Sequence, residues 1–161
     1  VLKVRFLSLA LLLAAAAPAQ DPDAALTELL RLKDDADLAL VSKISATKSR
    51  EAAAGLVKAY DVVNSLLMQR EILRALATFR DNAEAEQPAM QKLASIAGTS
   101  EEADLRSLAL AALGQSTTIG KHFLKQLVDS DASDEVREPA LREHVRTANA
   151  ADDEWYRFFG T

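Results

Sequence analysis

Two stretches of this chain open in the same way. Glu101 to Gly114 reads E-E-A-D-L-R-S-L-A-L-A-A-L-G, and Asp131 to Val145 reads D-A-S-D-E-V-R-E-P-A-L-R-E-H-V. In each, acidic residues lead into an aliphatic–arginine pair, Leu105-Arg106 or Val136-Arg137, and an Ala/Leu-rich run follows. A similar phrase, Q-R-E-I-L-R-A-L-A-T-F, begins at Gln69. Helical phrases that recur along a chain bury their apolar faces by lying against one another, and stacked helix pairs usually serve to hold other molecules. The recurrence confines the fold to helix on helix. It leaves the molecule held unnamed.

The rest of the chain agrees. Ala, Leu, Glu and Arg dominate, all good helix formers, and no run alternates Val, Ile or Thr as a half-buried strand would. Eight helical segments are expected. The first covers Pro22 to Leu32, with Leu26, Leu29 and Leu30 on one side, and Asp34-Asp35 breaks it. A second, Asp37 to Ala46, buries Leu38, Val41 and Ile44. A third, after Thr47 or Ser49, carries Ala53, Leu56, Val57 and Tyr60 and can run on through Val63 and Leu67. A fourth holds Ile72, Leu73, Leu76 and Phe79. The fifth, with Met90, Leu93, Ala94 and Ile96, ends at Gly98, and the sixth, capped by Thr99, ends at Gly114. The seventh carries Ile119, Phe123, Leu124, Leu127 and Val128. The eighth starts at Ser133 or Asp134 and turns Val136, Ala140, Leu141 and Val145 inward, with Pro139 implying a kink. Short connections make successive helices antiparallel neighbours.

Arg106 and Arg137 are 31 residues apart, and Arg70 and Arg106 are 36 apart, close to the length of a two-helix repeat. On these residues the stretch from Leu105 to Val145 resembles HEAT-like repeats, whose opening helix reads roughly Val-Arg-x-x-Ala-x-x-x-Leu after an acidic turn. The matching positions are Leu105-Arg106-Ser107-Leu108-Ala109 with Leu113, and Val136-Arg137 with Ala140-Leu141, preceded by Asp104 and Asp134. The resemblance implies an all-α fold, a short right-handed alpha-alpha superhelix of stacked antiparallel helix pairs. A closed helical bundle is the alternative, because Leu spacing alone fits both. It also implies a ladder between repeats, with Arg106 facing Asp134, Arg70 facing Asp104, and Arg137 at the equivalent place in the next unit.

The ends of the chain carry different signals. Lys3 and Arg5 precede an apolar run from Phe6 to Ala17, and Ala17-Pro18-Ala19 offers small residues for cleavage. Residues 1–19 are expected to be a secretory signal peptide and residues 20–161 the HEAT-like helical domain, periplasmic or secreted, with no stable membrane span after cleavage. At the other end, Trp155, Tyr156, Phe158 and Phe159 gather aromatic residues that are scarce elsewhere. They suit a cap over the last helix, or an anchor in a partner. The formal net charge of −5 and the absence of a clustered basic surface argue against nucleic acid. There is no cysteine, so packing alone must stabilise the fold.

Chemistry is sparsely provided. His122 and His144 belong to different helices and read as surface or boundary residues rather than a metal or base pair. No serine sits in a Gly-x-Ser-x-Gly elbow, and Gly98-Thr99-Ser100 and Gly114-Gln115-Ser116 read as helix stops, not phosphate loops. The acidic stretch Asp129 to Glu135 lacks the glycine and distal glutamate of a calcium loop and reads as an inter-helix turn. Lys43, Lys48, Arg50 and Lys58 form one positive group; Arg137, Arg142, Arg146 and Arg157 form another, diluted by Glu138 and Glu143. No catalytic, cofactor or metal residue is expected. Arg142, Arg146, Trp155 and Tyr156 are the candidate partner-binding residues. The expected function is a non-catalytic exported protein–protein interaction or scaffold module; the alternative is a periplasmic chaperone or stress-related helical bundle, and an enzyme is the third reading.

Overall fold

A computed structural model describes residues 22–116, 119–130 and 133–147. The expected signal segment and the aromatic cap, including Trp155, Tyr156 and Arg157, lie outside them. Among the described residues there are eight α-helices: α1 Pro22–Leu32, α2 Leu38–Ala46, α3 Arg50–Val62, α4 Leu66–Ala77, α5 Ala83–Thr99, α6 Ala103–Gln115, α7 Ile119–Asp129 and α8 Asp134–Thr147. Two short 3-10 turns, Lys33–Asp35 and Thr78–Asp81, follow α1 and α4. No helix of the described residues is long and apolar enough to cross a membrane.

Local chemistry sets four of the starts. Asp37 accepts from Ala39 N at 2.8 Å, and Ser49 from Ala52 N at 3.0 Å. Asn82 accepts from both Glu84 N and Ala85 N. Each side chain thereby satisfies donors that a helix leaves open at its first turn. Ser65 does the same for Met68 N, so α3 and α4 are separate helices, not one run through Val63 and Leu67. Gly98 and Gly114 do not stop their helices. Both remain helical, because α5 extends to Thr99 and α6 to Gln115, and the closing residues are Ser100 and Ser116 in extended conformation. Thr99 is the last residue of α5 rather than the cap of α6, whose cap position is Glu102.

The fold corrects the open superhelix. Each helix packs on its sequence neighbour and also on the next but one: α1 on α3, α3 on α5, α5 on α7, and α2 on α4, α4 on α6, α6 on α8. One apolar core runs unbroken from Ala25 through Leu56, Leu73, Met90, Leu113 and Leu124 to Ala140. Cross-packing of this kind gives a compact all-α bundle rather than an open right-handed array of separable pairs. The roughly thirty-residue step seen in the sequence reports how far apart in the chain neighbouring turns lie. Asp34, beside the first turn, accepts from Asn64 N at 2.7 Å and Ser65 N at 2.8 Å. Those two donors hold its carboxyl below the ordinary carboxylate range.

The last helix departs from its reading in one respect. Val136, Ala140 and His144 form its buried stripe, four residues apart, whereas Val145 is among the exposed large apolar residues. Val145 sits about 100° round the helix from His144, on the side that faces away from the core. His144 is therefore a buried residue, not a surface or boundary one.

Candidate functional site

Helices α4 and α6 lie side by side and run the same way. At one end Arg70 donates to Asp104. At the other, Arg80 Nη1 donates to Gln115 Oε1 at 2.7 Å. Between these ties the facing residues are small. Ala77, Ala111 and Ala112 fail to fill the space between two backbones, and a groove of about 440 Å³ opens there. That volume falls in the range of ligand-binding clefts.

Lys48, Arg74, Ala77, Thr78, Arg80, Leu108, Ala111, Ala112 and Gln115 line it. The floor is apolar. Among the described lining residues are three cations, Lys48, Arg74 and Arg80, and no acid. Lys48 reaches the groove from the α2–α3 turn, where its backbone holds φ at 52° in the left-handed region. Ordinary residues visit that region at a cost, and surrounding contacts must compensate. Here Asn82 Nδ2 donates to the Lys48 carbonyl at 2.6 Å. The Lys48 ammonium donates to the Thr78 carbonyl at 3.0 Å and stands 5.3 Å from the centre of the Phe79 ring. Arg74 is exposed and meets Glu71, outside the lining, at 3.4 Å. Contacts with neighbouring groups thus hold these positive head groups in place.

The residues singled out in the sequence divide. Arg70 and Asp104 meet across α4 and α6 and border the groove. Arg106 does not pair with Asp134. Its Nη1 donates to the carbonyls of Ser100 at 2.8 Å and Glu101 at 3.0 Å, and the acid it approaches is Glu135, at 4.0 Å. Asp134 is taken by Arg137, one turn on along the same helix face. Arg142 and Arg146 are exposed on α8, and Arg146 forks onto Glu143 of its own helix. Neither is among the groove's lining residues, and Trp155 and Tyr156 lie outside the described residues. Of the first positive group only Lys48 reaches the groove. His122 meets Gln126 at 3.0 Å, and among the described residues no group of three His, Cys, Asp or Glu side chains could hold a metal ion.

Sequence reading did not single out Arg74 or Arg80, and it took Gln115 as part of a helix stop. The usable signal was the small-residue stripe Ala111-Ala112 beneath Leu108, since facing alanines on packed helices leave room.

A second polar cluster lies in the interior. Glu86 and Ser116 are buried, and Ser116 Oγ donates to Glu86 Oε1 while accepting from Gly120 N at 2.9 Å. This chain of bonds joins α5, the end of α6 and the start of α7, and its role is to fix that junction.

No family model, curated protein or solved structure matches this chain. The HEAT-like assignment and the alpha-solenoid terms attached to it are accordingly corrected, on the absence of any match and on the cross-packed bundle.

Proposed function

We propose that this protein is a non-catalytic helical bundle of the periplasmic chaperone or stress-related kind, which holds segments of other proteins in the α4–α6 groove. The observation that carries this reading is the groove's make-up: an apolar floor of Ala77, Leu108, Ala111 and Ala112 under a rim of fixed polar heads. An open cleft with an apolar floor and a polar rim suits a stretch of polypeptide, which offers small side chains and polar backbone together. Lys48 and Arg80 are engaged with a backbone carbonyl and an amide, so they are set up to bind rather than to exchange protons. The scaffold reading drew on an extended array and is weaker for a compact bundle.

The test is suppression of aggregation. A thermally unfolded client is followed by light scattering with and without the protein. Suppression near equimolar ratio is expected, and it should be lost in Ala111→Trp, which fills the groove, while circular dichroism confirms an unchanged helix content. Equal suppression by Ala111→Trp, or none by the wild type, refutes the reading.

A further inference from the structure

We infer that the segment 148–161 of this same chain docks in the α4–α6 groove, with the Trp155 indole over Ala77, Leu108 and Ala111, so that the groove's resident occupant is intramolecular. The first observation is where α8 delivers the chain. Helices α6 and α8 lie side by side and run the same way. Arg106 approaches Glu135 at one end, and at the other the Glu143 side chain lies against Gly114. From 106 to 114 and from 135 to 143 the steps are equal, so the two helices keep level. Thr147, where α8 ends, therefore stands about 6 Å beyond the level of Gly114. The chain leaves α8 at the end of the groove marked by Gln115 and Arg80.

Reach and chemistry then select the site. With neighbouring axes about 8–10 Å apart, the middle of the groove lies about 15–20 Å from Thr147. Trp155 stands eight residues further on, which gives about 26–29 Å of extended chain. Two other surfaces fit less well. The α3–α4 corner exposes Val62, Leu66 and Leu67, but it lies at the opposite end of α4 and two helices away, at the limit of that reach. The outer face of α8 is charged, with Glu138, Arg142 and Arg146 exposed alongside Val145. The groove instead offers an apolar floor, and Thr78 and Gln115 carry oxygens that suit the indole N–H. Arg74 meets Glu71 through Nη1, at the edge of its guanidinium, so the flat faces can still stack on a ring. Resting on the groove as the site that holds client segments, this occupancy regulates it. The seven-residue tether 148–154 keeps Trp155 at an effective concentration in roughly the millimolar range, and a client must displace it.

Trp155 is the sole tryptophan, so its fluorescence in the full chain reports on the segment directly. Acrylamide should quench it about threefold less in the wild type than in Ala111→Phe, which fills the groove without adding a second tryptophan. Circular dichroism checks that this variant is folded. Arg74→Gln, at an exposed side chain, should raise quenching in the same direction and serves if Ala111→Phe does not fold. Wild-type quenching as strong as in the urea-unfolded chain, or unchanged in both variants, overturns the inference. So does exposure of Trp155 by Val145→Asp, which would put the segment on α8. Quenching that falls as protein concentration rises also overturns it, because a second copy would then supply the occupant. Trp155→Ser should strengthen the binding of an unfolded client about tenfold, and an unchanged affinity refutes the regulation. If the groove shields Trp155 but the protein suppresses no aggregation, the occupancy stands and the holding function falls. If filling the groove abolishes suppression while Trp155 is quenched alike in wild type and variants, the holding function stands and this occupancy falls.

Discussion

Gly120→Ala should destabilise this protein by about 2–4 kcal/mol, although replacing glycine by alanine within a helix ordinarily stabilises. Built at position 120, a Cβ would lie 2.3 Å from the Leu113 carbonyl oxygen and 2.5 Å from the Ser116 Cβ. The first is main chain in the last turns of α6 and cannot rotate away. Separation by an ångström or more requires α7 to move off α6, and overpacking of this order costs about 1–3 kcal/mol. The same movement stretches the 2.9 Å bond from Gly120 N to Ser116 Oγ, inside a buried cluster where a lost partner costs about 1–3 kcal/mol. Against these stands a gain of at most about 1 kcal/mol in helix propensity. The control is Gly114→Ala. Its Cβ would also meet an atom at 2.3 Å, but that atom is Glu143 Oε1, the end of a flexible side chain. Glu143 can swing aside, surrendering its pairing with the exposed Arg146 of its own helix, which is worth little. Urea unfolding for the free energy and thermal unfolding for the melting temperature, both followed by circular dichroism, measure the two variants. Gly120→Ala should lower the melting temperature by about 4–16 °C, from about 2–4 °C per kcal/mol in a chain of this size, and Gly114→Ala should change it by under about 3 °C. Equal losses in the two variants, or a Gly120→Ala protein as stable as wild type, would refute the distinction between main-chain and side-chain obstruction.

Three further outcomes are expected. Glu86→Leu and Ser116→Ala should each cost about 1–3 kcal/mol, and a double-mutant cycle should return a coupling of at least about 0.5 kcal/mol; additive losses would show that the buried bond contributes nothing specific. Lys92, whose ammonium lies 2.5 Å from Asp61 and 4.9 Å from the Tyr60 ring centre, should lose about 1 kcal/mol on conversion to Met, which keeps the apolar stem, and chemical denaturation showing no change would dismiss the contact. Asp34 has its folded-state acidity strengthened by the Ser65 and Asn64 amides, so its contribution is present above the unfolded value of about 4 and fades as pH falls through the lower folded value. The melting-temperature gap between wild type and Asp34→Ala should therefore be full at pH 6 and shrink as the solution is acidified past the ordinary carboxylate range; a gap independent of pH would contradict the hydrogen-bonding account.

How much of this was visible in the residues can be judged at particular places. Val41, Ile44, Leu73, Leu76, Leu105 and Leu113 are buried, as their periodic spacing required, because a helix turns its i, i+3 and i+4 positions to one side whatever it packs against. Caps such as Asp37 and Ser49 act within three residues of themselves, and their chemistry is equally local. The recurring Arg phrases misled where they were extended from local likeness to long-range geometry. Arg106 turned back onto the Ser100 and Glu101 carbonyls, which lie within reach of its own helix start, and left Asp134 to Arg137.

The amino-acid order by itself determined that this chain is helical, where most helices begin, and which residues seek the interior, since all three depend on contacts within a few residues. Only the tertiary structure decided that the helices close on their next-but-one neighbours into a bundle, and that Lys48, Arg74 and Arg80 share one groove. Those outcomes depend on which helices run side by side and on what facing alanines leave unfilled. No short-range pattern encodes either, because the partners stand about thirty residues apart in the chain.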